Sequence, residues 1–313
     1  MNTLTPAAGT FVMATCIISV GFGMTGHQVL SAVALALGGA VWVALAVTFA
    51  VRLIGCTEQW RREAMTPPAL TAVAATCILG TCLSQRGRQT AAAVALALSA
   101  AAWAPLLVPV LRNRARRLPG VVFLVSVATA ALAVGAATLA VAWRLDWLCL
   151  PALVFLVLGV VLYGVALTRF DRREVRTALG DHWIAGGALS INALACARLT
   201  VATDPGGPLG WAPALHPPLR AATLALLAAA LLWLPFLVYA ELRWPRPRYD
   251  IRRWATVFPL GMTAVTCLSA SAPTGFPWLG VLGRVLLWIA VAMWLVTTAG
   301  AARAARRGSA VDA

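Results

Sequence analysis

The sequence predicts an all-α polytopic membrane protein of ten transmembrane helices, paired as five helical hairpins. Three observations carry that reading. Of the 313 residues, 61% are hydrophobic and only 11% are charged, against about 25% charge in a soluble domain, so the apolar surface has nowhere to go but lipid. The apolar residues fall into ten runs, each long enough to cross a ~30 Å hydrocarbon core. The charge between those runs alternates: segments after even-numbered runs hold 19 of the 25 basic residues, all arginine, and the opposite segments hold five.

In chain order the runs are 6–24, 29–51, 67–84, 90–111, 120–142, 147–168, 182–200, 217–240, 254–271 and 277–300. All are predicted helical, because an open strand cannot satisfy its backbone groups in lipid. The first run has no basic leader and no small-residue cleavage site, which makes it a true span rather than a signal peptide. The seventh opens on GDHW, residues 180–183, where Asp181 is expected to cap the helix and Trp183 to anchor it at the interface; a site in which Asp181 orients His182 is the sharper alternative. The ninth opens on WATVFPLG, residues 254–261, where Pro259 and Gly261 predict a break in the helix. The tenth holds Arg284, which either snorkels to the surface or serves anions or a neighbouring subunit. Residues 1–302 form one transmembrane domain and 303–313 a short tail.

Arginine placement gives orientation. Arg52, Arg112, Arg169, Arg243 and their neighbours lie on one side, and Arg86, Arg88, Arg144, Arg198 and Arg220 on the other. By the positive-inside rule, both termini are cytoplasmic and the odd spans run outward through the cell (inner) membrane. The same rule accounts for the net charge of +15 without nucleic acid as a partner.

Odd and even spans differ in chemistry. Odd spans carry 18 Ser, Thr and Asn residues and even spans eight. Hydroxyls suit helices that line a wet path or pack closely against neighbours; recurrence in all five hairpins favours lining, with odd helices inside and even helices outside. Counting nine residues from Pro6, Pro67, Gly120, Asp181 and Trp254, at the start of the odd spans, reaches Thr15, Thr76, Thr129, Ser190 and Thr263, about 14 Å into the membrane. These five are the expected pore-lining residues, at mid-membrane.

Other chemistry is excluded. No acidic residue lies deep in a span, so a dedicated proton relay lacks its carboxylate. His27, His182 and His216 have no zinc spacing, and the seven cysteines include no C-x-x-C pair. Catalytic motifs such as G-x-S-x-G, H-E-x-x-H and the P-loop are absent, so neither metal, cofactor nor enzymatic activity is expected.

WATVFPLG and PAAGTFVMAT, residues 6–15, resemble the ninth- and first-helix motifs of the tellurite-resistance/dicarboxylate transporter family, and GDHW followed by a small-residue helix is similar to many of its members. That family includes plant slow-type anion channels, bacterial tellurite-resistance permeases, fungal malate permeases and sulfite efflux pumps. Arg253–Trp254 stands where relatives often have a Trp pair. The resemblance implies quasi-fivefold symmetry around a central pore, a homotrimer with one pore per subunit, and a ninth-helix phenylalanine, here Phe258, plugging the path as its gate. It implies an anion channel or permease for small inorganic or organic anions; the alternative is a secondary transporter, proton-linked or not, for C4-dicarboxylate, sulfite or tellurite-type oxyanions.

Overall fold

The computed structural model describes residues 8–309, apart from 56, 113–116, 177–179 and 246–248. Outside these lie Pro6 and Ala7 of the first-span motif, Cys56, Arg114, Arg116, Arg246, Arg248 and the last four tail residues. The chain is all-α. Its helices are α1 (Gly9–Met24), α2 (Gln28–Gly55), the short α3 (Thr57–Ala64), α4 (Thr71–Gln85), α5 (Gln89–Arg112), α6 (Leu124–Trp143), α7 (Cys149–Arg169), α8 (Trp183–Ala202), α9 (His216–Arg243), α10 (Trp254–Thr274) and α11 (Trp278–Ser309). Leaving out α3, these match the ten runs in order. Among the described residues, nine stretches are long and apolar enough to cross a membrane; α1, with 16 described residues, is shorter.

Five helices, α1, α4, α6, α8 and α10, form a closed inner ring, each packed on the next and α10 on α1. Each remaining long helix packs on its own hairpin partner and on the inner helix of the following hairpin, with α11 reaching α1 to close the circle. An outer helix thus fills the groove between two inner ones. Burial follows: 94% of the apolar window of the α6 span lies inside the protein, against 17% of that of α2. Val29, Val47, Val157, Leu232 and Val296 are among the large side chains left exposed on the outer helices, as a lipid-facing surface requires.

The hairpins also turn alike. Each connection from inner to outer helix contains one residue with positive φ: Gly26, Gly87, Arg144, Gly206 and Gly275. Glycine adopts that conformation freely; Arg144 does so at a cost of about 1 kcal/mol. The end of the molecule that carries these turns is termed the turn face. The opposite, arginine-rich face is where the inner helices begin, and three of them start through a 3-10 turn: Pro67–Leu70, Gly120–Phe123 and Ile251–Arg253.

Candidate functional site

The ring of inner helices encloses an axis, and a small cavity of about 10 Å³, room for the centre of one water-sized sphere, marks it. All five inner helices wall this cavity, with Ile17 and Val20 from α1, Cys77, Ile78 and Thr81 from α4, Ala131 and Val134 from α6, Ile191, Leu194 and Arg198 from α8, and Met262 and Val265 from α10. Apart from the adjacent pair Cys77 and Ile78 on α4, the spacing on each helix is three or four residues, which defines one stripe facing the axis. The wall is apolar except for Thr81 and Arg198.

Phe258 lies four residues before Met262, on the same stripe and one helical turn nearer the arginine-rich face. It is among the most deeply buried large side chains, 1% exposed. Its ring rests against α8 at Gly187, itself four residues before Ile191: a Cβ there would come within 3.1 Å of Phe258 Cε1 and of Pro259 Cγ. A side chain at residue 187 would compete with the ring for space. Pro259 removes the N–H that would bond to the Ala255 carbonyl, and its own carbonyl accepts the Thr263 hydroxyl at 2.8 Å. Gly261 marks a close approach, since a Cβ would meet Ile17 of α1 at 2.8 Å. Pro259 and Gly261 thus sit on either side of the ring's position, one loosening α10 and the other letting α1 press against it.

None of the five hydroxyls expected at the axis is among the residues walling the cavity. They are buried between helices. The indole N–H of Trp42 on α2 donates to Thr76 on α4 at 2.8 Å, that of Trp103 on α5 to Thr129 on α6 at 2.9 Å, and that of Trp294 on α11 to Thr15 on α1 at 2.9 Å. Each bond joins an outer helix to the inner helix of the next hairpin. Thr76 and Thr129 also donate to carbonyls four residues back, those of Ala72 and Val125. Ser190 and Thr263 bond to each other at 2.8 Å, joining α8 to α10. The nine-residue count addresses position along each helix, and position along a helix does not determine which way its side chains face. Two of the five seams depart from the pattern. Between α6, α7 and α8, Ser126 donates to the Gly159 carbonyl and accepts from Asn192. On α9 the indole Nε1 of Trp233 is buried without a hydrogen-bond partner.

At the arginine-rich face, α8 starts with His182 at its N-cap and no side-chain cap there; the Asp181 carbonyl accepts the Ile184 N–H instead. Trp183 is not an interfacial anchor. It is buried against Leu237, Leu260 and Ala290, because α9, α10 and α11 close over it. Asp181 and His182 are also buried. The carboxylate stitching this region is Glu174, which accepts the N–H groups of Gly120 and Asp181, so one side chain ties the starts of α6 and α8 together. Burial, reinforced by the nearby Asp181 charge, pushes Glu174 up to about 7, while those N–H groups and Arg252 draw it down. Arg284 is exposed on α11 rather than buried, consistent with a snorkelling side chain.

Sequence reasoning missed Arg198. Its nearness to a span end placed it with the outward loop charges. In the structure it lies inside α8, on the axial stripe Gly187–Ile191–Leu194–Arg198. That i, i+4, i+7, i+11 spacing from a glycine was the available signal; without the ring, nothing says which stripe of α8 faces inward.

No curated protein matches the sequence. A family model described as SLAC1, voltage-dependent anion channel, matches residues 3–302. This agrees with the motif resemblance, and the ten-helix membrane fold is that of the family. With nearly its whole length matched, the chain belongs to the SLAC1 voltage-dependent anion channel family.

Proposed function

We propose that the protein is a passive channel for small anions, conducting along the axis of the inner ring, with Phe258 as the gate. The observation that carries this is the axial cavity walled by all five inner helices, with the Phe258 ring one turn beyond it on the same stripe. A buried aromatic ring packed against a glycine has a small neighbour to move past, and rotating it aside would join the cavity to the arginine-rich face. An apolar wall without carboxylates binds anions weakly enough for them to leave, as conduction requires. Among the described residues no acidic side chain walls the cavity, which leaves a proton-coupled carrier without a titratable partner there. The hydroxyls of Thr15, Thr76, Thr129, Ser190 and Thr263 then serve as fasteners between helices, holding the ring round while the stripes do the lining.

In this reading the arginine-rich face is cytoplasmic, both termini lie there, and the turn face is outside the cell membrane. The exposed apolar outer helices suit a homotrimer, each subunit keeping its own path. The test is anion current in planar bilayers. Phe258→Ala is expected to raise current at least about tenfold, the effect of removing a barrier of roughly 1.4 kcal/mol. Folded Phe258→Ala protein with unchanged or lower current would remove Phe258 as the gate. Flux that follows a pH gradient in liposomes would replace the passive channel with a coupled carrier.

A further inference from the structure

We propose that Arg198 is an anion-binding site within this path, set toward the turn face, where it captures the ion before the Phe258 constriction. The inference deepens the channel reading and rests on it.

Four observations converge. Arg198 walls the axial cavity beside side chains that are otherwise apolar except for Thr81. Among the described residues its guanidinium has no ion pair and makes no hydrogen bond, and its Nε is buried without a partner. A buried donor left unsatisfied costs about 1–3 kcal/mol, more when charged, so a charged one kept on a cavity wall is a place for a partner from outside the chain. Third, the site is reachable. One rung inward the stripes are closed, with Val20, Thr81, Val134, Leu194 and Val265 all buried. At the next rung Met24, Gln85, Thr138, Arg198 and Ser269 all keep accessible surface. The axis thus opens toward the turn face at the level of Arg198, and the residue is both surrounded by protein and open to solvent, as expected of a vestibule wall. Fourth, Gly187, against which the Phe258 ring rests, is eleven residues earlier on the same helix, about 16 Å along the axis. A captured ion would therefore wait outside the constriction, not in it.

The guanidinium decides the class of ligand. It is a planar fork of donors that matches two oxygens at once, so a planar oxyanion such as nitrate is favoured over a halide of equal charge. A single cation in an apolar wall also repels cations and gives the path its sign without a deep well.

The test has two arms, both on the full-length protein. In the first, melting in detergent is followed against nitrate or chloride at ionic strength held constant with gluconate. Nitrate is expected to stabilise the wild type with a midpoint at least about tenfold lower than in Arg198→Gln, the loss of one charge-assisted hydrogen bond. Arg198→Lys should keep the response to chloride and lose the advantage of nitrate. In the second, adding Arg198→Gln to Phe258→Ala should lower conductance several-fold at low anion concentration and bring the nitrate-to-chloride permeability ratio toward one. Equal nitrate midpoints in wild type and Arg198→Gln overturn the site whatever the currents do. Should Arg198→Gln not fold, a lysine variant with the wild-type nitrate preference overturns it instead. Arg198-dependent binding together with no anion current in Phe258→Ala would sink the channel reading and leave the binding site standing.

Discussion

The two halves of the axis are built from the same five stripes and end differently. Toward the arginine-rich face the wall is sealed: Phe258 fills the space beside Gly187, and the starts of α6 and α8 are drawn together by Glu174. Toward the turn face side chains on the stripes regain accessible surface, and the one charged residue of the wall among those described, Arg198, appears. A symmetric ring of helices therefore does not make a symmetric axis. One glycine and one arginine on α8, eleven residues apart, set the contrast, and a phenylalanine on α10 completes it.

The contrast can be broken most directly at Gly187. Introducing Gly187→Ala puts a methyl 3.1 Å from the Phe258 ring and the Pro259 ring, tighter than ordinary van der Waals contact. In the wild-type background the methyl should lever the phenyl ring out of its seat and raise anion current several-fold. In a Phe258→Ala background, where only the contact with Pro259 remains and no phenyl ring is left to displace, it should change current little. Recordings of all four proteins in bilayers form a double-mutant cycle. Equal effects in both backgrounds would separate Gly187 from the gate and leave the sealed half unexplained.

A second way to sharpen the contrast is the stitch at the sealed end. Glu174 ordinarily titrates at 4.5 and is pushed up to about 7 in the fold, chiefly by burial. As pH rises above 4.5 the unfolded chain gives up its proton first, while the folded chain holds it until about 7. Stability is therefore expected to fall as pH climbs through that window and to level off above it, by about 3 kcal/mol at most. Glu174→Gln keeps an acceptor for the Gly120 and Asp181 N–H groups and should flatten this part of the profile in melting scans from pH 5 to 7.5. An unaltered slope in the variant would assign the dependence to another group.

Much of the architecture was legible in the sequence, because its causes are local. Ten runs follow from hydropathy, the pairing into hairpins from arginine alternation, and the inner and outer sets from the hydroxyl bias between odd and even spans. The likeness of WATVFPLG to a family motif singled out Phe258. What stayed hidden was azimuth. Thr15, Thr76 and Thr129 were singled out by counting along their spans, yet each hydroxyl meets a tryptophan of an outer helix, since the rotation of each helix is set by packing across the ring. The same blindness filed Arg198 with the loops. The matching tryptophans, Trp42, Trp103 and Trp294, were in plain view in three outer spans, but their partners lie one hairpin onward, a relation only closure of the ring reveals.

Those tryptophans give the smallest expected effect and the clearest internal control. Trp42, Trp103 and Trp294 each bind a threonine across a seam, whereas Trp233, on the fourth outer helix, keeps its indole Nε1 buried without a hydrogen-bond partner. A Trp→Phe change at any of the first three removes one interhelical bond between buried groups, worth about 1 kcal/mol in a membrane protein, and should lower the melting temperature. The same change at Trp233 loses ring area but also relieves an unsatisfied donor, so it should cost less than the other three. These bonds lie at three of the five seams and off the axial stripes, so in the channel reading the losses should leave conduction along both halves of the axis unchanged once the protein is folded. Were Trp103→Phe to alter conduction or nitrate preference while Trp233→Phe did not, the threonine seam would be acting on the path itself, and the division between fastening hydroxyls and lining stripes would have to be redrawn.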